Sequence, residues 1–577
     1  MSTTDVTAAL YGLFAERLEW QKREYPEFAM ARGDYRFADR LTDMSLAAQD
    51  RRHGETRALL GRLETLDRAA LSAEDQLNYD LFAWDLRHEV EEYGHRTHLM
   101  PLNGTWGPHL GVAQMHERVR FRLEEDYDNY LARLAGVPRQ IDDLIDVLRT
   151  GLAEGRTAPR VAVTAVPGQL DALLDGGQLD VLATPLAKHP DATRRAALQA
   201  RAAQNLLPAV RAALGKLRAF VRDEYLPGAR DSIAAGALPD GDALYAFMLR
   251  RFTTTDLTPR EVHELGLSEV ARIRAEMIEV IRATDFLKQR PELGGAGESE
   301  LFRAFVQYLR TDPRFYFTEP QELVRTYRDI CKRVDGALPR LFRLLPRLPY
   351  GVTEIPAYAA PQQTTAYYQP GDMRNAQAGQ YYVNTYRLDQ RPRYEMVALS
   401  LHEAVPGHHL QIALAQELDD LTEFRRDAWF HAFGEGWALY AERLGLELGL
   451  YDDPYDNFGR LLYEMWRACR LVVDPGMHAL GWSRAQAATF MLEHTALSEH
   501  NINAEVDRYI AWPGQATAYK IGELRVRAMR AAAEQALGAR FDVREFHAAL
   551  LSAGTLPLKV AEERMARWTA EQAAVSG

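Results

Sequence analysis

Leu401-His402-Glu403-Ala404-Val405-Pro406-Gly407-His408-His409-Leu410 places imidazoles around a carboxylate inside an apolar run. An ion that activates water needs imidazole or carboxylate donors, an open coordination position and a nearby base that is not itself a ligand. His402 and His408 are the candidate donors, and Glu403 the base. In the familiar pattern of two histidines four apart, both imidazoles share one helical face. Here the fourth position is Pro406. In an undistorted helix His408 would lie roughly 120° around from His402, and His409 would be in phase but about 10 Å along the axis. The helix must therefore deform, and Pro406-Gly407 is where it can: proline cannot donate to the carbonyl of His402, and glycine tolerates unusual backbone angles. The expectation is a bulge that loops out two residues and brings His408 beside His402. The competing reading is a helix that ends at Pro406, with surface histidines after it.

Working outward, a second stretch follows at Phe433-Gly434-Glu435-Gly436-Trp437-Ala438-Leu439-Tyr440-Ala441-Glu442. A carboxylate in this apolar, aromatic helical context needs a cation partner, which makes Glu435 the candidate third ligand. Glu442, seven residues on, shares its face and is the alternative ligand or a hydrogen-bond acceptor behind one. Before the histidines, Tyr350 to Tyr386 is rich in tyrosine, proline, glycine and glutamine, and 379–386 has strand composition. A strand there could receive an extended peptide by edge pairing, with Tyr382 and Asn384 as substrate contacts, or it could be a hairpin shielding the site.

The rest of the chain reads as helix. Segments 6–24, 56–66, 74–93, 126–154 and 192–225 carry 3.6-residue apolar spacing. Thr258-Pro259-Arg260-Glu261 is a capping box, followed by the stripe Val262, Leu265, Val270, Ile273, Met277, Ile281. These stripes are read as core. The fold expected is mainly α, a large multi-helix architecture with a small β-hairpin or edge strand beside the metal helix. Its two regions, 1–350 and 351–577, form one integrated unit.

Composition narrows the function. The chain has 577 residues, 47% hydrophobic content and a formal charge of -12, with no Lys/Arg blocks, which argues against nucleic acid or an anionic membrane as partner. Two cysteines, Cys331 and Cys469, are too few for a disulfide framework or a thiolate zinc site. Met1 to Trp20 lacks a basic segment followed by an apolar run, and a cytoplasmic location is expected. A carboxylate-bridged di-iron bundle would need two Glu-x-x-His pairs, and the chain offers one, at Glu92 and His95.

The ordered motifs His402-Glu403-Ala404-Val405-Pro406-Gly407-His408, Glu435-Gly436-Trp437-Ala438-Leu439-Tyr440, Arg470 to Asp474 before His478, Arg508 to Ala516 running on to Tyr519-Lys520-Ile521-Gly522, and Phe546-His547 with Gly554 to Leu558 resemble the bacterial domain-of-unknown-function 885 family, in the broad clan of gluzincin metallopeptidases. The resemblance implies a helical fold with a cleft, like the oligopeptidases and carboxypeptidases of that clan. It implies one Zn2+ per chain on His402, His408 and Glu435, with Glu403 as general base. One departure is Leu439, where thermolysin-like relatives carry an acid, so orientation of a histidine ligand falls to Asp474 or Glu442. For the electrophile that meets the oxyanion, Tyr519 is the first choice, His547 the second and His478 the third. Arg508 and Lys520 are candidates for a substrate carboxylate. The expected activity is zinc-dependent cleavage of peptide or other small amide bonds. The alternative is a non-catalytic metal- or peptide-binding protein that keeps the fold.

Overall fold

Apolar periodicity is realised as helices almost wherever the sequence shows it. A computed structural model describes residues 3–117, 119–175, 178–357, 360, 363–373 and 376–574. The chain divides into two compact units, Met1–Leu244 and Tyr245–Gly577. The change of composition near Pro349 marks the start of a small sheet, about a hundred residues after the boundary between these units.

The first unit is helical, with Thr3–Glu24 and Ala73–Gly94 matching the expected segments, while Leu46–Glu64 begins ten residues before the expected 56–66. Its core is built by α1 (Glu124–Ala153) and α2 (Leu207–Phe220). Ile141, Leu144 and Leu148 meet Val210, Leu214 and Leu217 in one fully buried cluster. Each such side chain contributes about 1.5–3 kcal/mol by leaving water. The expected helix 192–225 is not uniform: π-turns at Ala202–Leu206 and Val221–Tyr225 precede Pro208 and Pro227. A proline inside a helix lacks its N–H and clashes one turn back, and a widened turn relieves both.

In the second unit α3 (Pro259–Ala283) begins at the expected capping box. Thr258 N donates to Glu261 Oε2 at 2.8 Å, and Glu261 N returns to Thr258 Oγ1 at 3.3 Å. Val262, Val270, Ile273, Met277 and Ile281 are buried as read. The three strands are β1 (Tyr350–Glu354), β2 (Ala366–Gln369) and β3 (Gly379–Val383), in the order β1-β3-β2. β1 runs parallel and β2 antiparallel to β3. The strand read from composition is therefore real but central, so it has no free edge to offer a peptide.

Asn384 closes that strand. Its side-chain amide donates to the carbonyls of Ala360, Gln363 and Thr364, and its Oδ1 accepts from Tyr386 N. With every polar atom of the amide engaged inside the protein, the expected substrate contact through Asn384 is withdrawn. Tyr382 stacks on its cross-strand partner Tyr367 at 5.0 Å, on the sheet face opposite the buried Tyr381.

Among the further helices of this unit, five position the site: α4 (Met396–Glu403), α5 (His408–Gln416), α6 (His431–Leu448), α7 (Pro454–Ala479) and α8 (Ala518–Leu537), which crosses α6. At that crossing Gly436 faces Gly522, and a Cβ on Gly522 would stand 1.8 Å from the carbonyl oxygen of Ala432. Backbone meets backbone, so no rotamer change can relieve a larger residue there. Gly522→Ala should therefore lower stability by about 1–3 kcal/mol or more. Gly215→Ala, in the interior of α2 with nothing within 4 Å of the new methyl, should raise it by up to about 1 kcal/mol. Thermal melts of the two variants check the contrast.

Candidate metal centre

α4 stops at Glu403, and the chain turns through Ala404–Gly407 before α5 starts at His408. Ala404 (φ -96, ψ -112) and Gly407 (φ -75, ψ -129) leave helical geometry, and the Val405-Pro406 peptide is cis. Ala404 N still reaches Ser400 O at 3.0 Å, and His409 N returns to Ala404 O at 3.0 Å, so the turn is closed by hydrogen bonds at both ends. Trp437 Nε1 donates to the carbonyl of Pro406 at 2.8 Å and ties the turn to α6. The expected bulge within one helix is thus a break between two helices. The consequence is the one anticipated: the rings of His402 and His408 lie 4.9 Å apart and nearly perpendicular.

His409 points elsewhere. Its Nε2 donates to Leu348 O at 3.0 Å, which leaves Nδ1 to accept from the Tyr368 hydroxyl at 2.8 Å. Burial pushes its pKa down to about 4, so it is a neutral structural imidazole.

Glu435 comes from the first turns of α6, and its Oε2 stands 3.4 Å from His408 Nε2 and 3.8 Å from His402 Nε2. Donor atoms of these three residues all fall within 4.8 Å of one another. Tetrahedral donors about 2.0–2.1 Å from a zinc ion are about 3.3–3.4 Å apart, so the cluster needs little closure to hold one. His402 Nδ1 lies 2.8 Å from Glu442 Oε1, which fixes the tautomer and leaves Nε2 as a donor lone pair. The missing acid at Leu439 is thereby replaced one turn further along α6. Asp474, the other candidate for that task, accepts instead from the Tyr245 hydroxyl at 2.6 Å and from Gly514 N at 3.0 Å. Burial opposes charge on His402, but hydrogen bonds to Glu435 and Glu442 outweigh it and raise its pKa to about 9. Burial likewise opposes charge on Glu435, yet the two imidazoles hold its carboxyl well below the usual range. The donor set, two imidazoles and one carboxylate with a carboxylate behind the first, fits a divalent ion.

Glu403 is absent from the cluster although it follows a ligand. Its Oε2 accepts from Tyr368 N at 2.9 Å. In the β2–β3 register the N–H and C=O of Ala366 and Tyr368 point away from β3, because Asn384 N pairs with Thr365 O. Glu403 therefore lies against the free edge of β2, a contact that no feature of residues 366–369 announces beyond their strand-like composition.

Tyr519, near the start of α8, lies three residues before Gly522, and the close crossing of α6 and α8 brings it into the field of Glu435. Burial and that carboxylate both raise its pKa. The other candidates lie apart. His547 Nδ1 donates to Leu341 O at 2.9 Å, its Nε2 faces the Tyr440 hydroxyl at 2.9 Å, and burial pushes its pKa down to about 3. With both nitrogens engaged, it is withdrawn as an oxyanion donor. His478 Nε2 meets Tyr509 O at 3.0 Å, in the core. Lys520 is fully buried between Glu464, Glu523 and Glu269, at 2.8, 2.8 and 3.0 Å. Arg508 is engaged by Glu505 and by Gln515 Oε1. Neither is free for a substrate carboxylate, and both assignments are corrected. An aromatic that the sequence reading passed over, Trp429, lies across Gly434 with its ring 6.0 Å from that of His408.

Fold and centre together define a mainly helical protein with a small three-stranded sheet and a two-histidine, one-glutamate cluster. The chain belongs to DUF885, a family of bacterial proteins of unknown function, whose model matches residues 26–565. It is similar to a crystal structure from Colwellia psychrerythraea described as a "putative lipoprotein", with a TM-score of 0.87 and 26% identity over 99% of this chain and 100% of that one. A Shewanella oneidensis structure, described as a "putative lipoprotein of unknown function", aligns with a TM-score of 0.76 and 18% identity over 98% of this chain and 100% of that one. No curated protein matches.

Removal of a ligand should release the ion, whereas removal of its neighbour should not. His408→Ala is expected to lose bound metal, and His409→Ala to keep it at about one per chain while melting earlier. Elemental analysis after gel filtration reads both, and the opposite pattern would reverse the ligand assignment.

Proposed function

We propose that this protein is a zinc-dependent hydrolase of peptide or other small amide bonds, of the gluzincin type. One observation carries the reading: beside the cluster of His402, His408 and Glu435 in sequence, Glu403 stays outside it, its carboxylate on Tyr368 N and its charge still acting on His402. The same donor set also suits a non-haem iron site. A base next to the ligands favours hydrolysis, since redox chemistry at iron does not require one. A zinc ion held by the three residues would supply the Lewis acidity that makes water a nucleophile near neutral pH.

The remaining work falls to the chain. Glu403 takes the proton from the attacking water and passes it to the leaving amine. Tyr519 donates a hydrogen bond to the oxyanion that develops on the former carbonyl oxygen. Glu442 holds His402 in one tautomer throughout. The outer edge of β2, the strand whose Tyr368 N already meets Glu403, is the edge along which an extended substrate would pair. No helix among the described residues is long and apolar enough to cross a membrane. A cytoplasmic location is proposed from the sequence alone, against the lipoprotein names of the two solved relatives, and cell fractionation decides it.

Glutamine keeps the shape of Glu403 but accepts no proton. Glu403→Gln should retain zinc and melt within a few degrees of the parent, while hydrolysis of a mixed peptide library, read by mass spectrometry, falls by at least about 10²-fold. Tyr519→Phe should also retain metal, with the loss mainly in kcat. Parental turnover by a clean preparation of Glu403→Gln would refute the mechanism.

A further inference from the structure

Behind Tyr519, α7 presents Arg467 and Arg470, three residues apart on one face and only 5% and 3% exposed. Their guanidinium carbons converge on the same two rings. Both lie 4.6 Å from the centre of Trp466, and they lie 6.0 and 4.5 Å from that of Tyr519. Ring faces attract a cation but leave its in-plane N–H donors unserved.

Those donors are poorly matched. Among the described residues Arg467 makes one long hydrogen bond, from Nη1 to Tyr463 O at 3.4 Å, and its buried Nε has no partner. Its Nη2 stands 3.7 Å from Glu442 Oε1, an oxygen already engaged by His402. Arg470 donates from Nε to the Tyr509 hydroxyl at 2.8 Å and from Nη2 to Glu505 Oε2 at 3.1 Å, but its buried Nη1 has no partner. Glu505 must also serve Arg508 at 3.1 Å and accept from the Tyr509 hydroxyl at 2.6 Å. Three guanidinium groups thus share two carboxylates, one of which belongs to the metal centre. Glu395, whose carboxyl also feels Arg467, is raised by burial to about 7 and compensates only in part. A buried arginine short of anions is costly, and two of them three residues apart on one helix repel each other.

We propose that Arg467 and Arg470 hold a small monoanion behind Tyr519, either the carboxylate of a bound substrate or a free ion such as chloride or formate. Planar, forked donors on both sides suit a carboxylate in particular. The anion would relieve the repulsion and brace the Tyr519 ring from behind. This assignment stands on the arginines alone and does not require that the protein cleave peptides.

The test uses the full chain in sodium gluconate, an anion too bulky for the site, with chloride or formate exchanged in at constant ionic strength. Separate arms add N-acetyl-dialanine or its C-terminal amide to the Glu403→Gln protein. A saturable rise of at least about 1 °C in Tm with chloride or formate, lost or shifted to at least about tenfold higher concentration in Arg467→Gln and Arg470→Gln, identifies a free ion. A rise with the peptide acid but not its amide, lost in the same variants, identifies the substrate carboxylate. Should the glutamine variants fail to fold, Arg467→Lys keeps the charge without the fork and should weaken the response about tenfold. No anion-specific shift in the parent would mean that water alone serves these donors, and would overturn the proposal. A protein that turns over peptides without any such shift keeps the proposed function and loses this site.

Discussion

A carbonyl oxygen and a side chain cannot occupy one place, and at Gly407 that exclusion organises the candidate metal centre. A Cβ there would stand 1.9 Å from His402 O and 2.4 Å from Leu401 O. Only glycine lets the chain pass so close beneath the end of α4, and only this close passage sets His408 beside His402. Pro406 ends the helix, Trp437 ties down the turn from α6, and the same helix delivers Glu435 and Glu442. A glycine, a proline and an indole nitrogen thus convert a sequence spacing that separates the two imidazoles in a straight helix into one that brings their donor atoms within 4.8 Å of Glu435 and of each other.

The centre is held by a frame of buried charge. Lys520 is enclosed by Glu464, Glu523 and Glu269. Arg460 reaches Glu464 at 3.1 Å and Arg527 reaches Glu523 at 3.2 Å, so α3, α7 and α8 share one ion network. Such networks contribute less to net stability than their number suggests, because each ion has lost its water. Removing one partner is costly for the same reason, which makes the relative placement of these helices intolerant of error. Tyr519 sits one residue before Lys520, so the network also sets the position of the proposed oxyanion donor.

Legibility followed the range of the interaction. Helices with a clear apolar stripe, the capping box at Thr258 and the strand at 379–383 are set by near neighbours, and composition suffices to find them. The clustering of His402, His408 and Glu435 is legible because residue type and spacing restrict what an imidazole and a buried carboxylate can do. The order β1-β3-β2 was not, since which strand takes the middle depends on partners far apart in sequence. Lys520, Arg508, Asn384 and His547 were misjudged for one shared reason. A polar side chain amid apolar sequence looks available for chemistry, yet each is matched inside the protein: Lys520, Asn384 and His547 by groups about 20 to 250 residues away, and Arg508 by Glu505 and Gln515 on neighbouring turns. Glu442 was separable from Asp474 only once α6 had been placed against α4.

The central claim is that the break between α4 and α5 puts two imidazoles and Glu435 on one ion. X-ray absorption at the zinc edge, on protein loaded with one equivalent, tests it without reference to any substrate. The account predicts low-coordinate zinc with two histidine nitrogens at about 2.0–2.1 Å, oxygen in the rest of the shell and no sulfur. It also predicts that His408→Ala, loaded and desalted in the same way, loses the zinc and with it the two-histidine signal. A spectrum without histidine, or one that His408→Ala leaves unchanged, would contradict it.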